Sequence, residues 1–231
     1  MRGSPELLAS AVVTSSQRRA FTRHPHAAPR DAHVSIVIHI RNMNLVHGIL
    51  CSSGWWAGRV ETKLLPWALE DIDLGDDVLE FGPGFGATTR VLAGRGATRI
   101  SALELEPRYC EQLRRDLAGV VDIVQGDATR MPFPDGRFSA AVCFTMLHHL
   151  PSREAQDRAL SETLRVLRPG GVFAGTDSVG NGMLFRVIHF ADTLVKIDPA
   201  GFPDRLAAVG FAGIEVDSTE RSFRFRAQRP A

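Results

Sequence analysis

The chain has 231 residues, of which 44% are apolar and 23% are charged, and its formal net charge is +1. A chain of this length buries about 70% or more of the surface that its unfolded form exposes, so it needs no disulfide or metal to be stable. The near-neutral charge argues against a broad nucleic-acid surface, and no apolar run approaches the roughly 20 residues that cross a bilayer.

The first 42 residues differ in composition from the rest of the chain. They are rich in Arg, His, Ala and Ser, and their only acids are Glu6 and Asp31. We expect this segment to be disordered, or to precede the biological start at Met43. A targeting peptide and a basic arm that contacts nucleic acid are the alternatives.

Residues 43–70 carry an apolar and aromatic pattern that predicts helices ahead of the first strand. Ser52 or Ser53 is suited to cap such a helix, because a serine hydroxyl accepts from the free N–H groups of the first turn. Trp55 or Trp56 then either lines a ligand pocket or packs the helices onto a sheet.

The most informative stretch is Val78–Thr89, in which an apolar strand passes through Glu80 into a glycine loop that opens a helix. Gly82, Gly84 and Gly86 allow backbone angles and close approaches that a Cβ would forbid, and the free N–H groups of the helix point at whatever occupies the loop. A plain strand-to-helix connection and the G-x-G-x-x-A dinucleotide fingerprint are alternative interpretations.

A second buried strand, Ile100–Pro107, ends in carboxylates roughly 20 residues after the glycine loop, which is the ribose position of a doubly wound sheet. Glu104 is the predicted ribose ligand, although a carboxylate that merely decorates the strand end is the alternative. Glu106 and Pro107 are expected to begin the next helix, where negative charge is favourable.

A third strand, 120–125, leads into Gly126, Asp127 and Ala128, and Asp127 is placed to accept from the exocyclic amine of an adenine. A dehydrogenase and a methyltransferase both remain possible at this point, since each binds adenosine across neighbouring strand ends.

The whole pattern predicts an α/β fold: a single doubly wound Rossmann-like domain at 43–231, with a seven-stranded, mostly parallel sheet and an antiparallel C-terminal strand. The remaining predicted elements are helix 107–117, strand four from Phe138, a helix capped by Ser152, strand five after Gly171, an apolar helix at Leu184–Ile197, a short helix at Pro203–Val209 ended by Gly210, and a closing strand pair at 214–217 and 222–226.

Residues 77–177 resemble a class I S-adenosylmethionine-dependent methyltransferase of the small-molecule type known as methyltransferase domain 11. The junction Arg168–Gly171, which turns a helix straight into an apolar strand, is typical of that superfamily and not of nicotinamide dehydrogenases. Ser139 departs from the family, which has Asp there, so a local turn interaction is expected to be weaker without any effect on the cofactor site. The matching segments, in order, are Val78–Gly86, Ala102–Pro107, Gly126–Ala128, Phe138–Leu150 and Leu164–Asp177.

The resemblance implies that S-adenosylmethionine is the cofactor. Glu80 and the backbone of Gly82 and Gly84 would hold its methionine end, Glu104 its ribose, and Asp127 with Ala128 its adenine. Charge agrees, because this cofactor carries a sulfonium and an ammonium group but no phosphate. The implied cofactor-binding set is Glu80, Gly82, Pro83, Gly84, Gly86, Glu104, Leu105, Asp127, Ala128 and Thr145, with no metal ligand.

The implied reaction is an in-line methyl transfer to a small organic acceptor, in which alignment supplies roughly 7–11 kcal/mol. A base is needed only if the acceptor arrives protonated, and His148 is the candidate, whereas His149 is expected to have a structural role beneath the loop. Thr145 is a candidate for a contact with the cofactor or the acceptor, and Asp177 is a weaker candidate for such a contact. Residues 43–70 would fold over the cofactor, and residues 183–202 would help to form the acceptor pocket.

The expected partner is therefore a small molecule, with no nucleic acid and no membrane span. Cys51, Cys110 and Cys143 lack paired spacing and indicate reduced thiols of a cytoplasmic protein. A nicotinamide-dependent oxidoreductase and a non-catalytic cofactor-binding protein on the same fold are the alternative functions. The identity of the acceptor and the oligomeric state do not follow from the sequence.

Overall fold

The computed structural model describes residues 52–94, 99–179 and 194–231. The predicted N-terminal extension, Met43 and most of the predicted helix at 184–197 lie outside the described residues. The described elements, in chain order, are α1 (Gly54–Arg59), a π-helical turn (Val60–Leu64), α2 (Leu65–Ala68), β1 (Asp77–Phe81), α3 (Ala87–Gly94), β2 (Arg99–Glu104), α4 (Pro107–Asp116), β3 (Asp122–Gln125), β4 (Phe138–Phe144), a 3-10 turn (Leu147–His149), α5 (Arg153–Val166), β5 (Leu167–Ser178), α6 (Phe202–Val209), β6 (Ala212–Ser218) and β7 (Ser222–Gln228).

The strands form one seven-stranded sheet in the order β3-β2-β1-β4-β5-β7-β6. Pairs from β3 to β5 are parallel, and β7 is antiparallel to both β5 and β6. The predicted fold class is therefore confirmed. Because β2 and β3 lie on one side of β1 and β4 and β5 lie on the other, a crevice opens at the carboxyl ends of β1 and β4, where such sheets bind ligands.

Two apolar clusters cover the two faces of the sheet. One gathers the phenylalanines of β1, β5 and β7, and Phe81 and Phe225 lie 6.0 and 4.9 Å, ring centre to ring centre, from Phe173. The other packs Leu113 of α4 and the residues of α2 against the opposite face. Every residue of β1 is buried, as expected for a central parallel strand. The strand end that carries the glycine loop is thus fixed from both sides.

The predicted helix caps are confirmed. The Ser53 hydroxyl accepts from Trp56 N at 3.2 Å, and the Ser152 hydroxyl accepts from Ala155 N at 3.1 Å. Gly210 ends α6 in the left-handed region, with φ 112°. Capping chemistry is local, so sequence alone locates these helix ends well.

Three predicted elements differ from the structure. Strand five begins at Leu167 and not after Gly171, because Leu167 already pairs with Phe138 of β4 ahead of a register shift. Strand three begins at Asp122 and not at residue 120, because the chain after α4 continues in a turn in which Val120 N donates to Leu117 O at 3.0 Å. Residues 194–197, the end of the predicted helix at 184–197, are not helical. Val195 N instead donates to His148 O at 2.8 Å, and Val195 O accepts from Gln156 Nε2 at 2.8 Å.

No helix within residues 52–94, 99–179 or 194–231 combines the length and apolar character that a membrane span requires.

Ser139 makes the turn interaction that was expected to be weak. Its hydroxyl accepts from Asp77 N at 3.0 Å and lies 2.7 Å from Leu74 O, to which it donates. It therefore ties the turn before β1 to the first residues of β4. This end of the strand is opposite to the crevice.

We expect Ser139→Ala to lower the free energy of unfolding by about 1–2 kcal/mol, because Asp77 N and Leu74 O each lose a partner in a half-buried turn. Urea unfolding measures the change. Ser161→Ala is the matched control, since that hydroxyl bonds only Asp157 O at an exposed position. Equal stability of the two variants would show that the Ser139 hydroxyl contributes nothing.

Candidate functional site

The glycine loop after β1 is held in a conformation that favours glycine. Gly82 and Gly84 have φ of 70° and 54°, in the left-handed region. A Cβ on Gly82 would lie 2.1 Å from Met146 Cγ, so no larger residue fits there, whereas a Cβ on Gly84 would meet nothing within 4 Å. The Gly84 position therefore faces open space at the crevice.

The Glu104 carboxylate at the end of β2 holds this loop in place. It accepts from Gly84 N at 3.0 Å and from Glu106 N at 2.9 Å, and only 6% of the residue is exposed. Burial raises the pKa of Glu104, while the backbone N–H groups of Glu106, Gly84 and Leu105 oppose that shift. A carboxylate has about four lone-pair sites, so acceptor capacity remains for a hydroxyl group of a ligand.

A cavity of about 240 Å³ lies over the ends of β1, β2 and β3. Gly84, Glu104, Leu105, Asp127 and Ala128 line it, as the sequence predicts for an adenosine site. The Asp127 carboxylate is turned by a hydrogen bond from Thr129 N, at 2.8 Å. The other lining residues are Gly82, Leu103, Glu106, Tyr109, Gly126, Thr129, Met146, His149, Leu150, Pro151, Ala155 and Arg158.

A second cavity, of about 90 Å³, lies over the glycine loop and the end of β4. It shares Gly82, Gly84, Met146 and His149 with the first cavity, so the two form one crevice across the loop. Its other lining residues are Trp56, Leu64, Pro83, Phe85, Ala87, Thr88, Phe144 and Thr145. The crevice therefore carries its carboxylates at the end near β2 and β3 and the aromatic side chains of Trp56 and Phe144 at the end near β4.

Thr145 stands at the end of β4 with φ 52°, a strained value for a β-branched residue. Thr145 N donates to Thr176 O at 2.8 Å, which continues the β4–β5 ladder by one step before the chain turns. Such outliers concentrate at functional sites. Its place in the lining of the second cavity fits the expected contact with a ligand.

Glu80 lies behind the loop and does not line either cavity. Its carboxylate accepts from the Thr88 hydroxyl, so it joins β1 to the first turn of α3. Burial raises the pKa of Glu80 to about 7, although the hydroxyls of Thr88 and Thr89 lower it in part. These contacts support a role for Glu80 in holding the loop. The expected contact of Glu80 with the methionine end of the cofactor stays a prediction.

The structure reverses the expected placement of the two histidines. His148 is 2% exposed, its Nδ1 contacts Asp177 Oδ1, and its backbone N donates to Asp177 Oδ2 at 3.3 Å. His149 is half-buried and lines both cavities, with its ring 4.1 Å from that of His148. His148 is therefore buried against β5, and His149 occupies the position expected of a base.

Most of the predicted site residues meet in the crevice. Those that line it are Gly82, Pro83, Gly84, Glu104, Leu105, Asp127, Ala128 and Thr145; those that do not are Glu80, Gly86 and His148. Tyr109, Met146 and Arg158 also line it and were not predicted. Helical spacing was the available signal for Arg158, which is three residues after Ala155 on α5, but the sequence does not show which face of α5 meets the crevice.

The chain is similar in sequence to known methyltransferases. Residues 79–175 match the family model described as a methyltransferase domain. A fatty-acid O-methyltransferase of Mycolicibacterium smegmatis is 40% identical over 109 residues, which are 45% of this chain and 38% of that protein. A ubiquinone/menaquinone biosynthesis C-methyltransferase of Methylobacterium nodulans is 31% identical over 131 residues, 51% of either chain. The chain thus spans about half or less of the length of these relatives.

A solved structure supports the fold. Phosphoethanolamine N-methyltransferase 2 of Haemonchus contortus, in complex with S-adenosyl-L-methionine, has a TM-score of 0.62 at 15% identity, covering 80% of this chain and 60% of that one.

We expect the difference in free energy of unfolding between Glu80→Gln and the unchanged protein to shift in favour of the variant as pH rises. A carboxyl with a pKa of about 7 when folded and an ordinary value when unfolded binds more protons in the folded state between about pH 4.5 and 7. Stability of the unchanged protein therefore falls across that window, by on the order of 2–3 kcal/mol, while a neutral glutamine shows no such fall. Urea unfolding at pH 5 and pH 8 measures this.

Glu111→Gln, at an exposed position on α4, is the control for that experiment. If the stability of Glu80→Gln and that of the unchanged protein follow parallel pH curves, burial does not raise the pKa of Glu80.

Proposed function

We propose that the protein is a class I S-adenosylmethionine-dependent methyltransferase that transfers a methyl group to a small organic acceptor by in-line displacement. The match of residues 79–175 to the model of a methyltransferase domain supports this proposal. The observation that carries the proposal is the Glu104 carboxylate, fixed by Gly84 N and Glu106 N at the mouth of an adenosine-sized cavity. Its remaining acceptor capacity suits a hydroxyl group of a ribose.

The charges of the crevice fit this cofactor. Among the described lining residues of the larger cavity, Glu104, Glu106 and Asp127 are acidic and Arg158 is the one cation. Carboxylates attract a sulfonium and an ammonium group, whereas they would repel the pyrophosphate of a nicotinamide cofactor. The charges therefore do not favour the oxidoreductase alternative.

The proposed reaction asks mainly for alignment. When bound, S-adenosylmethionine supplies an electrophilic methyl group on its sulfonium. The glycine loop and Thr145 would fix the position of the methionine end, and Glu104 and Asp127 that of the adenosine. The aromatic side chains of Trp56 and Phe144, at the β4 end of the crevice, would keep water away from the reacting atoms. Alignment of this kind is worth roughly 7–11 kcal/mol.

His149 is the proposed base for an acceptor that arrives as a hydroxyl. It lies where the two cavities meet, which is where donor and acceptor atoms would face each other. One nitrogen of a neutral imidazole accepts the acceptor's proton as the new bond to carbon forms. His148 and Asp177 would hold the 3-10 turn from behind, since His148 bonds the Asp177 carboxylate through both its ring and its backbone.

A non-catalytic protein that binds the same cofactor is the second candidate. Mass spectrometry distinguishes the two, because only a transferase converts S-adenosylmethionine to S-adenosylhomocysteine. We would incubate the purified protein with a metabolite extract and a methyl donor labelled with ¹³C, and then identify the labelled product.

We expect Gly84→Val to abolish binding of S-adenosylmethionine while the protein remains folded. The Cβ of Gly84 points into open space, so the valine would occupy the crevice and not clash with the protein. Calorimetry with the cofactor measures this, and circular dichroism checks the fold.

Gly119→Val is the matched control, because Gly119 also has a positive φ, 75°, and also has nothing within 4 Å of an added Cβ. Backbone strain is then similar in the two variants, and only Gly84→Val fills the crevice. Unchanged affinity in folded Gly84→Val would refute the assigned site.

We expect His149→Asn to lower kcat for a hydroxyl acceptor by about 10²–10⁴-fold, which is the usual contribution of a general base. Steady-state kinetics measures kcat, and circular dichroism checks that the variant is folded. A kcat of folded His149→Asn equal to that of the unchanged protein would exclude His149 as the base.

A further inference from the structure

A groove of about 520 Å³ lies beside the crevice, between the helical segment 54–68 and the turn that joins β6 to β7. We call it the cationic groove. It is lined by Arg59, Lys63, Leu64, Trp67, Thr219, Glu220, Arg221 and Ser222. None of these residues is part of the site assigned above, except that Leu64 also lines the smaller cavity of the crevice. Leu64 is thus the shared wall of groove and crevice.

The charges of this groove are unbalanced. Arg59, Lys63 and Arg221 face one acid, Glu220. Arg59 and Lys63 are four residues apart in one helical segment, where like charges destabilise a helix. Neither of them, nor Arg221, makes an ion pair with another described residue. Three cations brought together in this way are suited to an anion.

The neighbouring Arg224 shows the opposite arrangement. It bonds Glu70 Oε2 at 2.8 Å and Trp67 O at 2.7 Å, and it lies 3.3 Å from Asp217 Oδ2. Its guanidinium carbon lies 5.5 Å from the centre of the Trp67 ring. The charge of Arg224 is therefore balanced by Glu70 and Asp217, and its contacts hold Trp67 in place. The positive charge of the groove comes from the other three cations.

The π-helical turn contains Leu64, the residue that lines both the groove and the crevice. The segment 54–68 is helical throughout, but at Val60–Leu64 it widens to a π turn, and such turns often occur at functional sites. Trp56 and Leu64 line the crevice, while Lys63 and Trp67 line the groove. Leu64 therefore borders both the groove and the crevice that His149 lines.

We propose that the cationic groove holds the anionic group, a carboxylate or a phosphate, of the methyl acceptor, whose reacting end passes Leu64 into the crevice. This inference rests on the proposed methyl transfer for the role of the bound molecule as acceptor. The apolar carbon chain of such an acceptor would pack on Trp67 and Leu64. Arg59, Lys63 and Arg221 would pair with its charge.

The first experiment measures binding without the cofactor. The probes are octanoate and octyl phosphate, with octanol as an uncharged probe of the same chain length, titrated by calorimetry. We expect both anions to bind the unchanged protein and octanol to bind at least about tenfold more weakly. Arg59→Gln combined with Lys63→Gln should weaken anion binding by about fivefold or more, because each exposed ion pair contributes up to about 1 kcal/mol. Binding should also weaken as salt is added.

Arg115→Gln is the matched control, because Arg115 is an exposed cation on α4, outside the groove. It should bind both anions as the unchanged protein does. Equal anion binding by the double variant and the unchanged protein, or equal loss in Arg115→Gln, would overturn the proposal. Sedimentation with phosphatidylglycerol vesicles tests a membrane surface instead; loss of vesicle binding in the double variant with octanoate binding unchanged would also overturn it.

The second experiment links the groove to the reaction. Labelled products from the metabolite extract should carry a carboxylate or a phosphate apart from the methylated atom. For such an acceptor the double variant should raise KM about fivefold or more and leave kcat and the affinity for S-adenosylmethionine unchanged. Uncharged products, or an unchanged KM, would overturn the acceptor assignment while methyl transfer itself stands. Failure to bind S-adenosylmethionine at all would instead overturn the proposed function.

Discussion

The hydrogen bond from Gly84 N to the Glu104 carboxylate, at 3.0 Å, is the contact on which the site depends. It ties the loop that follows β1 to the end of β2, although the two residues are twenty positions apart in the chain. The same carboxylate accepts from Glu106 N and so also fixes the start of α4. One buried group thus determines the loop, the strand end and the first turn of a helix. Burial of the Glu104 carboxyl in this arrangement raises its pKa.

A second buried carboxylate supports the loop from the other side. Glu80 is the fourth residue of β1 and accepts a hydrogen bond from Thr88 of α3, so it connects the two elements that flank the glycine loop. Glu104 instead bonds Gly84, in the middle of the loop. The two acids differ in what they leave for a ligand. Glu104 lines the crevice, but Glu80 does not. The two acids stand in similar local sequence contexts but differ in role: Glu80 holds the loop, and Glu104 also faces the space for a ligand.

Most residues that line the crevice can be located from the sequence because their signals are local. Glycines that need a positive φ, a carboxylate at a strand end and serines at helix starts each act within a few residues. The histidines show the limit. Adjacent residues in a 3-10 turn point in different directions, and only the position of β5 decides that His148 meets Asp177 and His149 meets the crevice. Likewise, residues 194–197 have an apolar pattern, but long-range bonds to His148 and Gln156 keep them out of a helix.

The residues of the cationic groove, at 59–67 and 219–222, lie on either side of the segment 79–175 in the chain, and none lies within it. The larger cavity of the crevice, by contrast, is lined by residues of that segment. Substitutions, insertions or exchanges in the two flanks would thus leave the strand ends that line this cavity intact. Under the proposed methyl transfer, such a division lets selection alter the preferred acceptor over evolutionary time without changing the reaction, and it gives an engineer two short stretches to randomise.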